Sequence, residues 1–267
     1  KKLELVEVIL QFPATNEEIV AQVKDTIEKT KDKERIKLAV FSHITSTPAV
    51  ILPVQDLVSM LESYHILTLV DGAHSIGQIP ISMRAINADF YLSNAHKWLY
   101  SPKGSAFLYV RKSAQPIIHP HIISFGYTKG IREEFFWTGT RDCSAELTIM
   151  DAIEYREKLG GEKKIMEYNH KLAVYAGKKL SEMWGTETLV SDDQIGSLAN
   201  IRLPFTDSNL ITPLIKLVLD EYRTYLFVYE FQNAIYARIS CQIYNDESDI
   251  EWMGNAVLDA LKKIQAK

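Results

Sequence analysis

Two stretches decide how this chain is read: Ile66-Leu67-Thr68-Leu69-Val70-Asp71-Gly72-Ala73-His74-Ser75-Ile76-Gly77-Gln78 and Asp89-Phe90-Tyr91-Leu92-Ser93-Asn94-Ala95-His96-Lys97-Trp98-Leu99. Each opens as a short apolar run and ends on reactive side chains. Such runs, bounded by glycine and polar residues, read as buried strands. In open α/β sheets, ligands bind beyond the carboxyl ends of the strands. Asp71 and Lys97 therefore stand where a pocket is expected, and Gly72 allows close backbone approach. Alone, an aspartate at a strand end is more often a cap, and a lysine is usually a solvated surface residue. A lysine against an apolar wall, which the neighbouring Trp98 suggests, favours the neutral form that attacks carbonyl groups. Lys103, in the turn Ser101-Pro102-Lys103-Gly104, is a weaker candidate.

Outward from this core, strand and helix signals alternate. Thr15 with Glu18 forms a capping box, and Ile19, Val20, Val23 and Ile27 follow at helical spacing to about Thr30. Ile36 to Phe41 reads as a strand, and Pro53 opens a helix carrying Leu57, Val58 and Leu61 on one face. Ile66 to Val70, Asp89 to Leu92 and Ala106 to Val110 read as further strands. The alternation predicts an α/β fold around a largely parallel sheet. From Ala145 to Trp184 the composition predicts two long helices broken at Gly160-Gly161. Ile201 to Leu203, Thr224 to Tyr229 and Tyr236 to Ile243 then read as strands, and Asp249 to Gln265 as a terminal helix. The expected division is a large domain over residues 1–160 and a small α+β domain over 161–267. The apolar run from Leu3 to Leu10 reads as a strand. With Lys1 in place of an initiator methionine, it suggests a chain whose N-terminal part is missing.

Composition narrows the partners. The 267 residues carry a net charge of −4, which gives no electrostatic reason to expect nucleic acid or an acidic membrane. No stretch approaches the roughly 20 apolar residues of a membrane span. Cys143 and Cys241 are too few for a disulfide framework or a zinc site, so a reducing, cytoplasmic setting is expected.

Pyridoxal phosphate needs an acid opposite its ring nitrogen and a lysine for its aldehyde, and two neighbouring strand ends can supply both. From Val70 to Val110, the Asp-Gly-Ala-His run followed by His-Lys-Trp and Pro-Lys-Gly resembles the core of the class V, fold type I, aminotransferase-like enzymes. The likeness continues through Trp137-Thr138-Gly139-Thr140-Arg141-Asp142 to Arg238-Ile239-Ser240 and Ile243-Tyr244-Asn245. It implies a three-layer large domain, present in part, and a C-terminal α+β small domain. It also implies roles. Asp71 would pair with the ring nitrogen, His74 would lie beside the ring hydroxyl, and Lys97 would carry the cofactor and move protons. Asn94 and His96 would lie near the phosphate, and Thr140 would reach a phosphate across a homodimer interface. Arg238 would grip the substrate α-carboxylate, a task suited to its planar fork.

Simpler readings stand beside these. His43, His74 and His96 fit ordinary satisfied histidines, Arg238 fits a solvent-facing strand position, and Arg141-Asp142 fits a local ion pair. Ser42 to Thr47, just after a strand, is expected to line the pocket. Neither cysteine matches the mobile-loop nucleophile of the cysteine desulfurases, which disfavours a persulfide mechanism. The chain most resembles the branch containing isopenicillin N epimerase-like proteins and the hercynylcysteine sulfoxide lyase of ergothioneine synthesis. A C–S lyase acting by β-elimination on a cysteine conjugate is therefore expected. An epimerase and an inactive truncated homologue are the alternatives.

Overall fold

The capping box read at Thr15 is formed: Thr15 N donates to Glu18 Oε2 at 2.8 Å, and Glu18 N donates to Thr15 Oγ1 at 3.2 Å. It opens helix α1 (Asn16–Lys29) in a computed structural model that describes residues 3–266. The chain then runs through β1 (Leu38–Ser42), α2 (Val54–Ser63), β2 (Leu67–Asp71), α3 (Met83–Ile86), β3 (Phe90–Asn94), α4 (Ala95–Trp98) and β4 (Ala106–Val110). Three further helices follow, α5 (Ile131–Phe136), α6 (Ser144–Leu147) and α7 (Ile149–Lys158). The remainder forms α8 (Glu162–Trp184), β5 (Leu198–Arg202), α9 (Ile211–Tyr222), β6 (Phe227–Phe231), β7 (Ala234–Ser240) and α10 (Glu247–Gln265).

The chain divides into two units. The first holds residues 20–43 and 53–159, with the short stretch up to Val6. Its sheet has the order β1-β2-β3-β4, parallel except for the antiparallel β3–β4 pair. Strand period two buries Thr68 and Val70 on one face of β2 and leaves Leu67, Leu69 and Asp71 half-buried on the other. Ile27 of α1 and Leu61 of α2 cluster with Ala39 and Phe41 of β1 on the sheet face away from Asp71. The buried hydroxyl of Thr68 and the carboxylate of Asp89 satisfy each other's backbone: Thr68 N donates to Asp89 Oδ2 at 2.8 Å, and Asp89 N to Thr68 Oγ1 at 3.1 Å. Arg111 donates to the other oxygen of Asp89 at 2.5 Å. This anchor joins β2 and β3 near their starts, so their carboxyl ends emerge side by side, with Asp71 opposite Leu92.

The second unit holds Glu7–Ile19, Ile44–Leu52 and the chain from Gly160 onward. Its antiparallel sheet has the order β5-β7-β6, with α8 lying against β5 and α10. Leu172, Ala173, Ala176 and Leu180 form the buried stripe of α8 at helical spacing. Asn200 on β5 fixes the 44–52 loop: it accepts from Ala49 N at 3.0 Å, donates to Ala49 O at 2.7 Å and accepts from Tyr229 OH at 2.8 Å.

Some expectations need correction. Residues 3–10 form no strand, and Leu3, Leu5 and Ile9 are largely exposed. An apolar run becomes a strand only where another backbone pairs with it, and none does among the described residues. The stretch from Ala145 to Trp184 contains three helices, because Thr148 interrupts it in addition to the Gly160-Gly161 break. Helix α9 was not expected; its signals were Pro213 in the first turn and buried Leu214 and Val218 at i, i+4.

Candidate active site

The turn after β2 is shaped by what lies behind it. A side chain on Gly72 would sit 2.4 Å from the Tyr91 ring, so only glycine lets the chain pass over that tyrosine. Tyr91 OH bonds Ser75 Oγ at 2.5 Å and His43 Nδ1 at 2.9 Å, and Ser75 Oγ donates to Gly72 O at 2.7 Å. Burial pushes the Tyr91 phenol up to about 12 and the His43 imidazole down to about 4. Both are therefore neutral near pH 7, and this network is a rigid floor under Asp71.

Above the floor, Asp71 Oδ1 accepts from Ala73 N at 2.9 Å. Among the described residues no cation pairs with this carboxylate. An acid at a strand end without its own counter-charge fits a ligand that brings one, such as a protonated pyridine nitrogen. The same turn carries His74, whose backbone carbonyl accepts from Gln78 Nε2 at 2.6 Å.

The end of β3 supplies the amine. Lys97 lies on the single turn of α4 with its Nζ 3.3 Å from His74 Nε2. The next residue, Trp98, is 8% exposed and donates from its indole Nε1 to His74 Nδ1 at 3.2 Å. Lys97 itself is exposed, so the apolar wall expected from the sequence packs beneath its neighbour and not around its amine. His96 is turned to the backbone: its Nδ1 donates to Ser105 O at 2.9 Å, leaving Nε2 for any ligand. Asn94 is half-buried, and its side-chain amide makes no hydrogen bond among the described residues. Asp71, His74, Asn94, His96 and Lys97 thus occupy the carboxyl ends of two adjacent parallel strands. These residues fit pyridoxal phosphate at two points, an unpaired acid for its ring nitrogen and an accessible amine for its aldehyde.

Thr140 lies elsewhere in the same unit, exposed on the segment between α5 and α6. The Arg141–Asp142 ion pair does not form. Arg141 reaches Glu146 at 3.3 Å, and Asp142 instead accepts from Ser144 N at 2.8 Å.

In the second unit, Arg238 on β7 is half-buried. Its guanidinium carbon lies 4.4 Å from the Phe227 ring centre, and Nη1 donates to Ser46 O at 2.8 Å and Ser46 Oγ at 3.2 Å. Its Nε is buried without a partner, and no carboxylate pairs with it among the described residues. Burial lowers its pKa from the ordinary arginine value, against the opposing pull of Tyr229 and Tyr225. Arg238 therefore does not face solvent, and its fork suits a planar anion. Cys241 is fully buried and its thiol is pushed up to about 12, which makes it no nucleophile.

Sequence reading takes Trp98 only for a wall beside Lys97 and misses Arg156 altogether. Arg156 of α7 has no exposed surface; it donates from Nη1 to Trp98 O at 2.8 Å and from Nη2 to Gly77 O at 3.2 Å. The only hint was its place four residues after the buried Ala152, on the apolar face of a helix.

Comparison with known proteins identifies the family and the fold. The family model "Aminotransferase class-V" matches residues 4–253. A "Putative L-cysteine desulfhydrase 1" of Oryza sativa subsp. japonica is 33% identical over 95% of this chain and 58% of its own length. The "Hercynylcysteine sulfoxide lyase" of Schizosaccharomyces pombe is 30% identical over 81% of this chain and 57% of its own length. The chain thus spans somewhat over half of these relatives. Among solved structures, a complex of the cystine C–S lyase C-DES with its reaction product cysteine persulfide superposes with a TM-score of 0.74. It covers 90% of this chain and 64% of the other at 20% identity, a likeness of fold. The chain belongs to the class-V aminotransferase family of pyridoxal-phosphate enzymes, which includes lyases that act on cysteine-like substrates.

Proposed function

We propose that this chain belongs to a C–S lyase that eliminates sulfur from cysteine or a cysteine conjugate. The observation that carries the reading is the Lys97 amine, accessible and 3.3 Å from His74 Nε2, on the strand end beside the unpaired Asp71. Bound pyridoxal phosphate supplies the electron sink that makes a substrate Cα proton acidic. Lys97 would hold the cofactor by its aldehyde and would take the substrate Cα proton on Nζ. Asp71 would keep the ring nitrogen protonated, and Asn94, His96 and, in a homodimer, a partner protomer's Thr140 would hold the phosphate. Arg238 takes the α-carboxylate. The β-elimination would break the Cβ–S bond with its electron pair leaving on sulfur, and the products would be the released sulfur species, pyruvate and ammonia. Cys241 is buried and is not the acceptor of the sulfur. Both cysteines are free thiols, which supports a reducing cytoplasmic setting. A hercynylcysteine sulfoxide-like conjugate is the preferred candidate substrate.

The test adds pyridoxal phosphate to the full chain, records the visible spectrum, reduces with borohydride and maps the modified peptide. A band that bleaches and fixes to Lys97, with pyruvate released from L-cysteine or a cysteine sulfoxide, is expected. Substrate racemisation without pyruvate would replace the lyase with an epimerase. Absence of the band in folded protein would favour an inactive homologue, and a band retained in Lys97→Ala would move the cofactor lysine elsewhere.

A further inference from the structure

We propose that Trp98 fixes the His74 proton on Nε2, making His74 a constant hydrogen-bond donor toward Lys97 Nζ and never the site's base. The argument rests on donor and acceptor inventory. An indole N–H can only donate. Trp98 Nε1 lies 3.2 Å from His74 Nδ1, so that nitrogen must accept, and the neutral ring then carries its hydrogen on Nε2. An imidazolium would set N–H against N–H at the tryptophan. The Nε2–H then faces Lys97 Nζ, 3.3 Å away.

The arrangement is over-determined. Arg156, wholly buried, donates to the carbonyls of both Trp98 and Gly77, three residues beyond His74. Gly77 adopts φ +82°, and a Cβ there would meet the Trp98 carbonyl oxygen at 2.4 Å. The His74 carbonyl is held in turn by Gln78. Both ends of the Trp98–His74 bond are thus pinned to one guanidinium. Trp98 is a positioning residue that acts through His74.

This inference rests on the reading of Lys97 as the cofactor lysine for its consequence, but not for its measurement. The full chain, free of cofactor, is labelled with ¹⁵N-histidine, and His74 is assigned among the 7 histidines by loss of its signals in His74→Gln. Long-range ¹⁵N–¹H spectra are expected to show a pyridine-type Nδ1 and a pyrrole-type Nε2. In Trp98→Phe the two tautomers should mix, and capture of added pyridoxal phosphate by Lys97 should slow about tenfold, the worth of one hydrogen bond. If Trp98→Phe does not fold, benzothienylalanine at position 98 keeps the shape and removes only the N–H. A pyrrole-type Nδ1 in the native chain, or an unchanged tautomer without the indole N–H, overturns the proposal. Because the spectra need no cofactor, that failure is distinct from failure of the lyase reading.

Discussion

Arg156 and Arg238 are both guanidinium groups withdrawn from water, yet their donors are engaged differently. Arg156 is wholly buried, lies over the Tyr100 ring at 4.4 Å, and gives its two terminal nitrogens to main-chain carbonyls. Arg238 rests on Phe227 and gives one nitrogen to Ser46, with its buried Nε left unpaired. A fork whose terminal nitrogens are taken up by backbone suits a scaffold; a fork with a donor to spare suits the carboxylate-binding role proposed for Arg238. Burial alone does not separate the two proposed roles; the partners of the fork distinguish them.

The comparison is broken most severely at Arg156. In Arg156→Met two buried carbonyls lose their donor and the turns after β2 and β3 lose their common anchor. The expected loss of stability is about 3–5 kcal/mol, the range for dismantling a buried hydrogen-bonded charge. Urea unfolding of the full chain measures it. A loss below about 1 kcal/mol would mean that the scaffold role is misassigned.

A third basic group sharpens the contrast by giving up its charge. His43 is 6% exposed, and burial holds its pKa near 4 against the ordinary 6.5. Below pH 6.5 the unfolded chain binds a proton that the native chain refuses, so stability falls as pH drops from about 6.5 toward 4. The full shift corresponds to about 3 kcal/mol. Urea midpoints across that window should follow the slope in the native chain and lose this component in His43→Asn, which keeps a neutral partner for Tyr91 OH. An unchanged slope in the variant would assign the acid sensitivity to other groups.

How much of this was legible beforehand follows from range. The strand ends carrying Asp71 and Lys97 were readable because apolar runs and their polar stops are local signals. The capping box of α1 was readable for the same reason. The Trp98–His74 bond, the Arg156 anchor and the His43–Tyr91–Ser75 floor join residues 16 to 79 positions apart, and no local pattern encodes them. Leu3 to Leu10 failed in the converse way: its local pattern suits a strand, but a strand also needs a neighbour, which lies outside any window. The reason the sequence offers for Lys97 fits only in part, since the aromatic residue beside it in sequence serves His74 and not the amine.

Arg238 provides the smallest and most discriminating effect. Arg238→Met keeps the aliphatic stem over Phe227 and removes the fork. Because its donors are only partly engaged by protein, the loss of stability should stay near 1 kcal/mol, well below that of Arg156→Met. The substrate should feel the change more. Losing a charge-assisted pair with a carboxylate is worth about 2 kcal/mol, or roughly a 30-fold rise in KM with kcat little altered. The split between the two constants decides the matter. A rise confined to KM marks an interaction made equally in the ground and transition states, as a carboxylate grip should be. An equal fall in kcat and kcat/KM would instead place the arginine's interaction in the transition state alone. A stability loss as large as that of Arg156→Met, with KM unchanged, would make Arg238 a second scaffold arginine and erase the distinction between the two forks.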